Sequence, residues 1–407
     1  MQIDRTDIVI SGGGVAGLTA AAAFGTAGFR VLCVDPSPPV TNAEDAAADL
    51  RTTAFLQPAR QLLDEAGLWS RLAPHAAALQ IMRIVDAGGA EPEPRIVKDF
   101  IASEISDDPF GWNFPNWLLR REMVARLGEL PTITFRPGIA TTSVLTREGE
   151  AIVGLSDGTR IGARLLIAAD GRNSPVREAL GIGVKTIRYG QKALAFAVTH
   201  PNPHDNISTE VHRSGGPFTL VPLPDHNGTP CSAIVWMEHG ENLARLAALP
   251  VPAFEAEMLA RSAGLYGPLT LVSRRSVWPI ISQIAERLDG ERTALMAEAA
   301  HVVPPIGAQG LNMSLADLRC LLDLAVANPA DLGSAKMLTT YNRRRWPEVR
   351  ARVTGIDLLN RASMLGAPSL RDLRAGALNA LYSLAPVRKT LMKAGLGMAP
   401  TKASEQA

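Results

Sequence analysis

Cysteine is scarce. Cys33, Cys231 and Cys320 are the only three in 407 residues, and they are far apart and odd in number. With no C-x-x-C pairing they offer neither a disulfide frame nor a cysteine zinc site, and they suit a reducing compartment. An excess of one charge is also lacking. Lys and Arg number 41 against 40 Asp and Glu, so no global basic footprint points to nucleic acid. No run approaches ~18 continuous apolar residues, which argues against a transmembrane helix. Asp4, Arg5 and Asp7 precede the first short apolar run, so the N-terminus does not read as a secretory signal. A cytoplasmic protein without a metal site is expected. At this length, and 46% hydrophobic, two or three structural units with ample core material are expected.

What is present begins with a strand-like run, Asp7–Ile10, followed by Gly12-Gly13-Gly14-Val15-Ala16-Gly17. Small helix-forming residues lead to Phe24, and a second run, Phe29–Val34, ends in Asp35. This is strand, G-x-G-x-x-G, helix, strand, acid. Gly12 permits the tight turn, Gly14 lets backbone approach a pyrophosphate, and Gly17 lets helix and strand pack closely. Asp35 can accept from a ribose hydroxyl pair. The acid disfavours a 2′-phosphate, so the ligand is FAD or NAD rather than NADP.

Leu50 to Trp69 reads as mainly helical, with Pro58 as a breaking point. Arg51 at its head is either a phosphate contact or a solvated helix-start residue. Ile81–Asp86 and Arg95–Phe100 read as strands, Asp107–Asn116 as a loop, and Leu118–Leu130 as a helix. Arg120 and Arg121 in its first turn oppose the helix dipole, so they suit a ligand, a partner or plain solvent. Leu165–Ala169 is an apolar strand ending in Asp170-Gly171, where open α/β sheets bind ligands. Residues 182–278 alternate short strands with Pro/Gly loops and read as an inserted, mainly antiparallel unit. His212 and Arg213 could line a pocket there, although a strand-end pair is the plainer reading.

From Ala294 to Asp317 a strand end, Glu298, Pro304-Pro305 and a glycine turn through Gly307 and Gly310 lead into a helix expected near Asn312. Helix-start N–H groups and an acid meet there, which suits an electron-rich ligand. Beyond Asn328 the chain reads as helical. Residues 341–407 hold twelve Lys/Arg against four Asp/Glu. The Leu-rich segments Leu358–Leu365 and Leu373–Leu396, with Arg361, Arg374, Arg388, Lys389 and Lys393, suit either an anionic membrane surface or a packed helix pair with a solvated face.

GGGVAG, AADGRNSPVR at 168–177 and AEAAHVVPPIGAQGLN at 297–312 occur in this order. Together they resemble the class A FAD-dependent aromatic hydroxylases, the single-component flavin monooxygenases. Arg51-Thr-Thr-Ala-Phe-Leu, Gly216-Pro-Phe-Thr-Leu-Val-Pro-Leu and the basic tail resemble most the ubiquinone-biosynthesis hydroxylases. The resemblance implies a Rossmann-like α/β FAD-binding domain (1–75, 117–181, 279–330). It also implies an antiparallel substrate domain (76–116, 182–278) and a helical C-terminal region (331–407).

By the same resemblance, Gly12, Gly14 and Gly17, with Val15 and Ala16 between them, would cradle the FAD pyrophosphate, and Asp35 the ribose. Arg51 and Arg121 would contact the flavin nucleotide, and Asp170 the FAD and nicotinamide region. Glu298 would hold the ribityl chain. Gly310, Leu311 and Asn312 would offer N–H groups to the flavin pyrimidine, and the Pro305 carbonyl would face the substrate. His301 reads as structural rather than as a base. FAD, reduced by NAD(P)H, would activate O2 at flavin C4a to hydroxylate a polyprenylated phenol. Ala297-Glu298, Ala308 and Arg120 depart from the usual Gly-Asp, Gly and Asn. Two alternatives stay in view: a hydroxylase of a small soluble aromatic acid, which the HVVPPIGAQGLN run suits as well, and a non-catalytic FAD-binding subunit of a membrane-associated biosynthetic complex, suggested by Ala297-Glu298 and Arg120. The tail would hold the protein peripherally on the inner face of the membrane.

Overall fold

The computed structural model describes residues 3–89, 91–213, 215–364 and 382–397. The glycine-punctuated start folds as β1 (Asp4–Ser11), α1 (Val15–Thr26) and β2 (Val31–Asp35). Alanine dominates α1, which is buried from Ala16 to Gly25, because only small side chains let a helix sit so close to its neighbours. Next come β3 (Thr52–Leu56), α2 (Gln57–Glu65), α3 (Trp69–Leu72), β4 (Ala77–Leu79), β5 (Ile81–Asp86), β6 (Ile96–Ile101), β7 (Gly111–Pro115) and α4 (Asn116–Gly128).

The expected helix at Leu50 therefore begins as a strand. Thr52, Thr53 and Phe55 favour extended backbone, and Pro58 lies in the first turn of α2, where its missing N–H costs nothing. The expected loop at 107–116 also contains a strand, β7, which pairs with both β3 and β4.

The chain continues through β8 (Ile133–Pro137), β9 (Thr141–Thr146), β10 (Ala151–Leu155), β11 (Arg160–Ala168) and α5 (Pro175–Ala179). Then follow β12 (Val184–Thr199), β13 (Ile207–His212), β14 (Pro217–His226), β15 (Thr229–His239), α6 (Gly240–Ala248), α7 (Val251–Arg261), β16 (Thr270–Leu271) and β17 (Ser276–Ala285). The last elements are β18 (Asp289–Gly290), β19 (Thr293–Leu295), β20 (His301–Val302), α8 (Gln309–Ala327), α9 (Ala335–Met364) and α10 (Ala385–Leu396). Strand β17 runs across the boundary expected at 278, and residues 365–381, with Arg374, lie outside the described residues.

Two large sheets carry the architecture. The first runs β18-β19-β11-β1-β2-β8, with β19, β11, β1, β2 and β8 parallel. Parallel strands in register bring the ends of β19, β11, β1 and β2 to one edge, the edge where α/β folds bind ligands. The second runs β20-β17-β12-β15-β14-β13-β5-β6 and is antiparallel except where β13 meets β5. One face of it packs Leu194, Phe196, Phe218 and Trp236 against Leu246 and Phe254 of α6 and α7. Residues directly opposite each other share a face. Trp278, Ala193, Ala195, Val235 and Thr219 are linked in this way and lie on the other face. That face meets the first unit, as the stacking of Arg51 on Trp278 shows.

Candidate functional site

Four strand ends deliver the site. After β1, Gly12 adopts φ +115°, and a Cβ there would lie 2.2 Å from the Ala169 carbonyl oxygen. A Cβ on Gly17 would lie 1.9 Å from the Gly12 oxygen. Both positions therefore require glycine. At Gly14 a Cβ would meet nothing within 4 Å, so that glycine leaves open space in front of α1, whose start has no side-chain cap. Val15 and Ala16 follow in the first turn. At the end of β2, Asp35 accepts from Gly13 N at 2.6 Å and Ser37 N at 2.8 Å. It fixes the glycine loop first, and a carboxylate's remaining lone pairs are left for a ligand.

After β11 comes Asp170. One oxygen accepts from Val176 N at 3.2 Å, and the other is buried with no partner among the described residues. Burial pushes its carboxyl above the ordinary value, against the hydrogen bonds from Ser174 and Val176. After β19, Glu298 sits on a 3-10 turn (Ala297–Ala299) and pairs with Arg172 at 3.3 Å.

The arginines sort differently from expectation. The Arg51 Nε and Nη2 grip Asp49 at 2.8 and 2.7 Å, and its guanidinium lies 3.9 Å from the Trp278 ring centre. Glu298 acts on it electrostatically. Asp49 also accepts from Asn116 at 3.0 Å, with Arg120 at 3.7 Å. Burial alone would raise the Asp49 carboxyl, but Arg51, Asn116 and Arg120 outweigh it and hold the group below its usual range. Arg121, by contrast, turns out to Glu122 and the Trp117 ring. Arg120, not Arg121, reaches this cluster, because the helix begins at Asn116 and position 120 falls one turn later on the same side. Asp49, Asn116, Arg172 and Trp278 were not singled out from the sequence. Only the nearness of Asp49 to Arg51 hints at any of them.

The proline loop leads into α8. Pro304 is buried with its carbonyl accepting from Ile306 N at 2.8 Å, which leaves exposed Pro305 as the outward member of the pair. The helix starts at Gln309, three residues before expectation, after the uncapped Ala308. Its first turn therefore presents the N–H groups of Gln309, Gly310 and Leu311, and the Ala308 carbonyl accepts from the Asn312 side-chain amide at 2.6 Å. The Asn312 side chain also stitches α8 to β3, donating to Ala54 O at 2.8 Å and accepting from Leu56 N at 2.9 Å.

His301 is fully buried, with Nε2 2.7 Å from Asp317, which also binds Arg345 at 2.8 Å. That places it in an anchor between β20, α8 and α9, away from the open side. In the second unit His212 lies 2.7 Å from Glu210, and Arg213 donates to Ala260 O.

The donor set fits an FAD: an open glycine turn and uncapped α1 for the diphosphate, acids with spare acceptor capacity for hydroxyls, and a second uncapped helix for an electron-rich ring. With a second unit's sheet facing that edge, fold and site define a flavin-dependent hydroxylase of the single-component kind. Residues 5–355 match the family described as FAD binding domain. The chain is 31% identical to the ubiquinone hydroxylase UbiL of Rhodospirillum rubrum, over 96% of this chain and 89% of that protein. It is 26% identical to the 3-demethoxyubiquinol 3-hydroxylase of Escherichia coli K12, over 98% of this chain and 100% of that one. Among solved structures, p-nitrophenol 4-monooxygenase PnpA from Pseudomonas putida shares the fold, with TM-score 0.80 at 19% identity over 98% of this chain and 100% of that one. The chain belongs to the ubiquinone-biosynthesis hydroxylase family of class A FAD-dependent monooxygenases.

Proposed function

We propose that this protein hydroxylates the aromatic ring of a polyprenylated phenol in ubiquinone biosynthesis, using NAD(P)H and O2. The observation that carries the substrate class is the sheet face toward the flavin loop. Its central positions are Ala193, Ala195, Val235, Thr219 and Trp278, all neutral. A small aromatic acid would set its carboxylate against these neutral positions, and Arg51, the cation on Trp278, is already taken by Asp49, so desolvating that carboxylate would cost several kcal/mol.

Bound FAD supplies the redox and oxygen chemistry. The chain's own groups bind and shape it. Gly12 to Gly17 approach the diphosphate, Asp35 and Glu298 accept from hydroxyls, and the N–H groups of Gln309 to Leu311 stabilise negative charge on the ring. The Pro305 carbonyl faces the phenol, and the alanine and valine face excludes water from the reacting atoms. Arg51 on Trp278 ties the flavin-holding loop to the substrate sheet.

A membrane surface is part of the same proposal. Leu358 and Leu359 on α9, Leu384 just before α10, and Val387 and Leu391 on α10 are exposed, with Lys389 beside them. No described helix is long and apolar enough to cross a bilayer, so association would be peripheral.

The test is NAD(P)H oxidation by FAD-loaded protein with and without a prenylated phenol, alongside quinone-precursor profiling of cells lacking the protein. Stimulation by the phenol and build-up of one less-hydroxylated precursor are expected. Flavin that is never reduced with any phenol present would overturn the reading in favour of a silent FAD-binding subunit.

A further inference from the structure

Helix α10 sits in an unusual place for the end of a chain. Its Met392 and Leu396 are buried in a cluster of Ala54, Leu56, Leu79 and Phe110. Partly buried Met82, Phe100, Val221 and Ala308 complete that cluster. These residues come from both units. Ala54 and Leu56 lie on β3, beside the Asn312 stitch; Ala308 is the residue before α8; Val221, Met82 and Phe100 belong to the second sheet. The cluster is therefore wholly apolar and reaches Ala308, the residue before α8, and two side chains of α10 fill its centre.

Few polar ties hold the helix there. Arg388 binds Glu104 at 2.8 Å and the Tyr382 carbonyl at 2.8 Å, at one end. At the other, the Gln309 amide donates to the Gly395 carbonyl at 2.8 Å while its oxygen accepts from Arg352 at 3.0 Å. Gln309 is the first residue of α8, one of those whose N–H groups the flavin ring would use. The outer side of α10 carries exposed apolar residues as well, Val387 and Leu391, beside Lys389. A helix with apolar residues on both sides loses little burial on moving from a protein groove to another apolar medium.

We infer that α10 is a displaceable plug: Met392 and Leu396 occupy the path of the substrate's prenyl tail, and the tail enters by lifting the helix off Gln309. This rests on the prenylated-phenol reading above. An unbranched Met and a Leu stand in for isoprenoid carbons, and the same apolar walls serve both occupants. Release of the Gly395 carbonyl from Gln309 reports tail entry to the first turn of α8, so the flavin loop changes only for a substrate with a tail. Because the open form is the binding-competent one, the plug weakens apparent affinity by the fraction of molecules that are open.

The test uses full-length, FAD-loaded protein. Backbone hydrogen exchange over 385–396 is followed with a prenylated phenol and with the same phenol lacking its tail, while the flavin spectrum reports binding of either. The plug predicts at least tenfold faster exchange with the prenylated ligand and none of this with the tail-less one. It further predicts that Arg388→Gln, remote from the flavin loop, speeds α10 exchange without ligand and tightens the prenylated phenol about three- to tenfold, leaving the tail-less phenol unchanged. A prenylated ligand that shifts the flavin spectrum but leaves α10 exchange unchanged or slower would overturn the plug and leave the hydroxylase reading standing. Weaker prenylated binding in Arg388→Gln would likewise show a lid that closes on the tail. If neither phenol perturbs the flavin, the substrate reading itself falls, and the plug with it.

Discussion

Ala297 and Ala308 both hold φ +55°, the left-handed region where a Cβ crowds the backbone. They are also two of the positions where this chain departs from the usual glycines of its family. Both turns beside the flavin site are thus built on alanine under strain, a cost of about 1–2 kcal/mol each. Glycine would relieve it and give back about 0.4–1 kcal/mol through a more flexible unfolded chain. Ala297→Gly and Ala308→Gly should each raise the unfolding free energy of FAD-free protein in urea, by up to about 1.5 kcal/mol, and a lowered value would contradict the strain. Glu298, next to Ala297, is only loosely paired to Arg172, so its carboxylate is available to the cofactor. Glu298→Ala should weaken FAD binding about tenfold or more in a fluorescence titration, the scale of one charge-assisted hydrogen bond. Equal FAD retention in Glu298→Ala and in a tail variant such as Leu391→Ser would refute that ranking. Asp170 supplies the pH dependence. Its carboxyl is raised above the ordinary 3.8, so its contribution to stability is fullest below about pH 3.8 and is lost as pH rises through the raised value. In FAD-free protein the melting temperature of Asp170→Asn should gain on the native chain as pH rises across that window. A constant difference between the two would remove burial of this carboxylate as a term.

Among elements, the N-terminal strand, glycine turn, helix and acid were legible because each residue there has a local task that leaves a local pattern. Gly12 and Gly17 are demanded by contacts of 2.2 and 1.9 Å to backbone oxygens, and glycine spacing in sequence records such close approaches. β3 was not legible. Its apolar Phe55 and Leu56 run straight into the periodicity of α2, and its pairing partner β7 lies more than fifty residues away. Arg120 and Arg121 could not be told apart either, because the start of α4 depends on Asn116 reaching Asp49 and Thr53. The same limit applies to the Asn312 side chain, whose cross-link to β3 leaves no mark in the sequence. Asn312→Ala would orphan the Leu56 N–H and the Ala54 carbonyl together, so a loss of about 1–3 kcal/mol is expected. Denaturation of Asn312→Ala and Asn312→Asp would check this, since aspartate keeps only the acceptor half. If Asn312→Ala is as stable as the native chain, β3 is held by something other than this stitch.

On the scale of the whole molecule, the two sheets are joined by contacts on the 45–51 segment and on β7. Arg274 donates to the Asp45 and Ala48 carbonyls at 2.9 and 2.6 Å, Arg51 stacks on Trp278, and Asn113 donates to the Pro222 carbonyl at 3.0 Å. These contacts tie the second sheet to the first, and the plug inferred above makes α10 the part that moves. The helical end of the chain carries the surplus of positive charge and the exposed Leu358, Leu359, Val387 and Leu391. A substrate with a long prenyl tail partitions into lipid, so an enzyme that meets it at the bilayer gains by placing its tail passage there. Basic residues near an anionic surface contribute roughly 1 kcal/mol each, and exposed leucines add apolar burial, so both terms should be measurable. Full-length protein should sediment with vesicles containing phosphatidylglycerol but poorly with pure phosphatidylcholine. Binding should fall as salt rises from about 0.1 to 1 M, where the screening length drops from about 10 to 3 Å. Combining Lys389→Gln and Lys393→Gln should reduce the salt-sensitive part, and Leu391→Ser the part that survives high salt. Equal, salt-insensitive solubility of the native chain and these variants would exclude the bilayer as partner, and the prenyl tail would then have to be delivered to α10 by another protein.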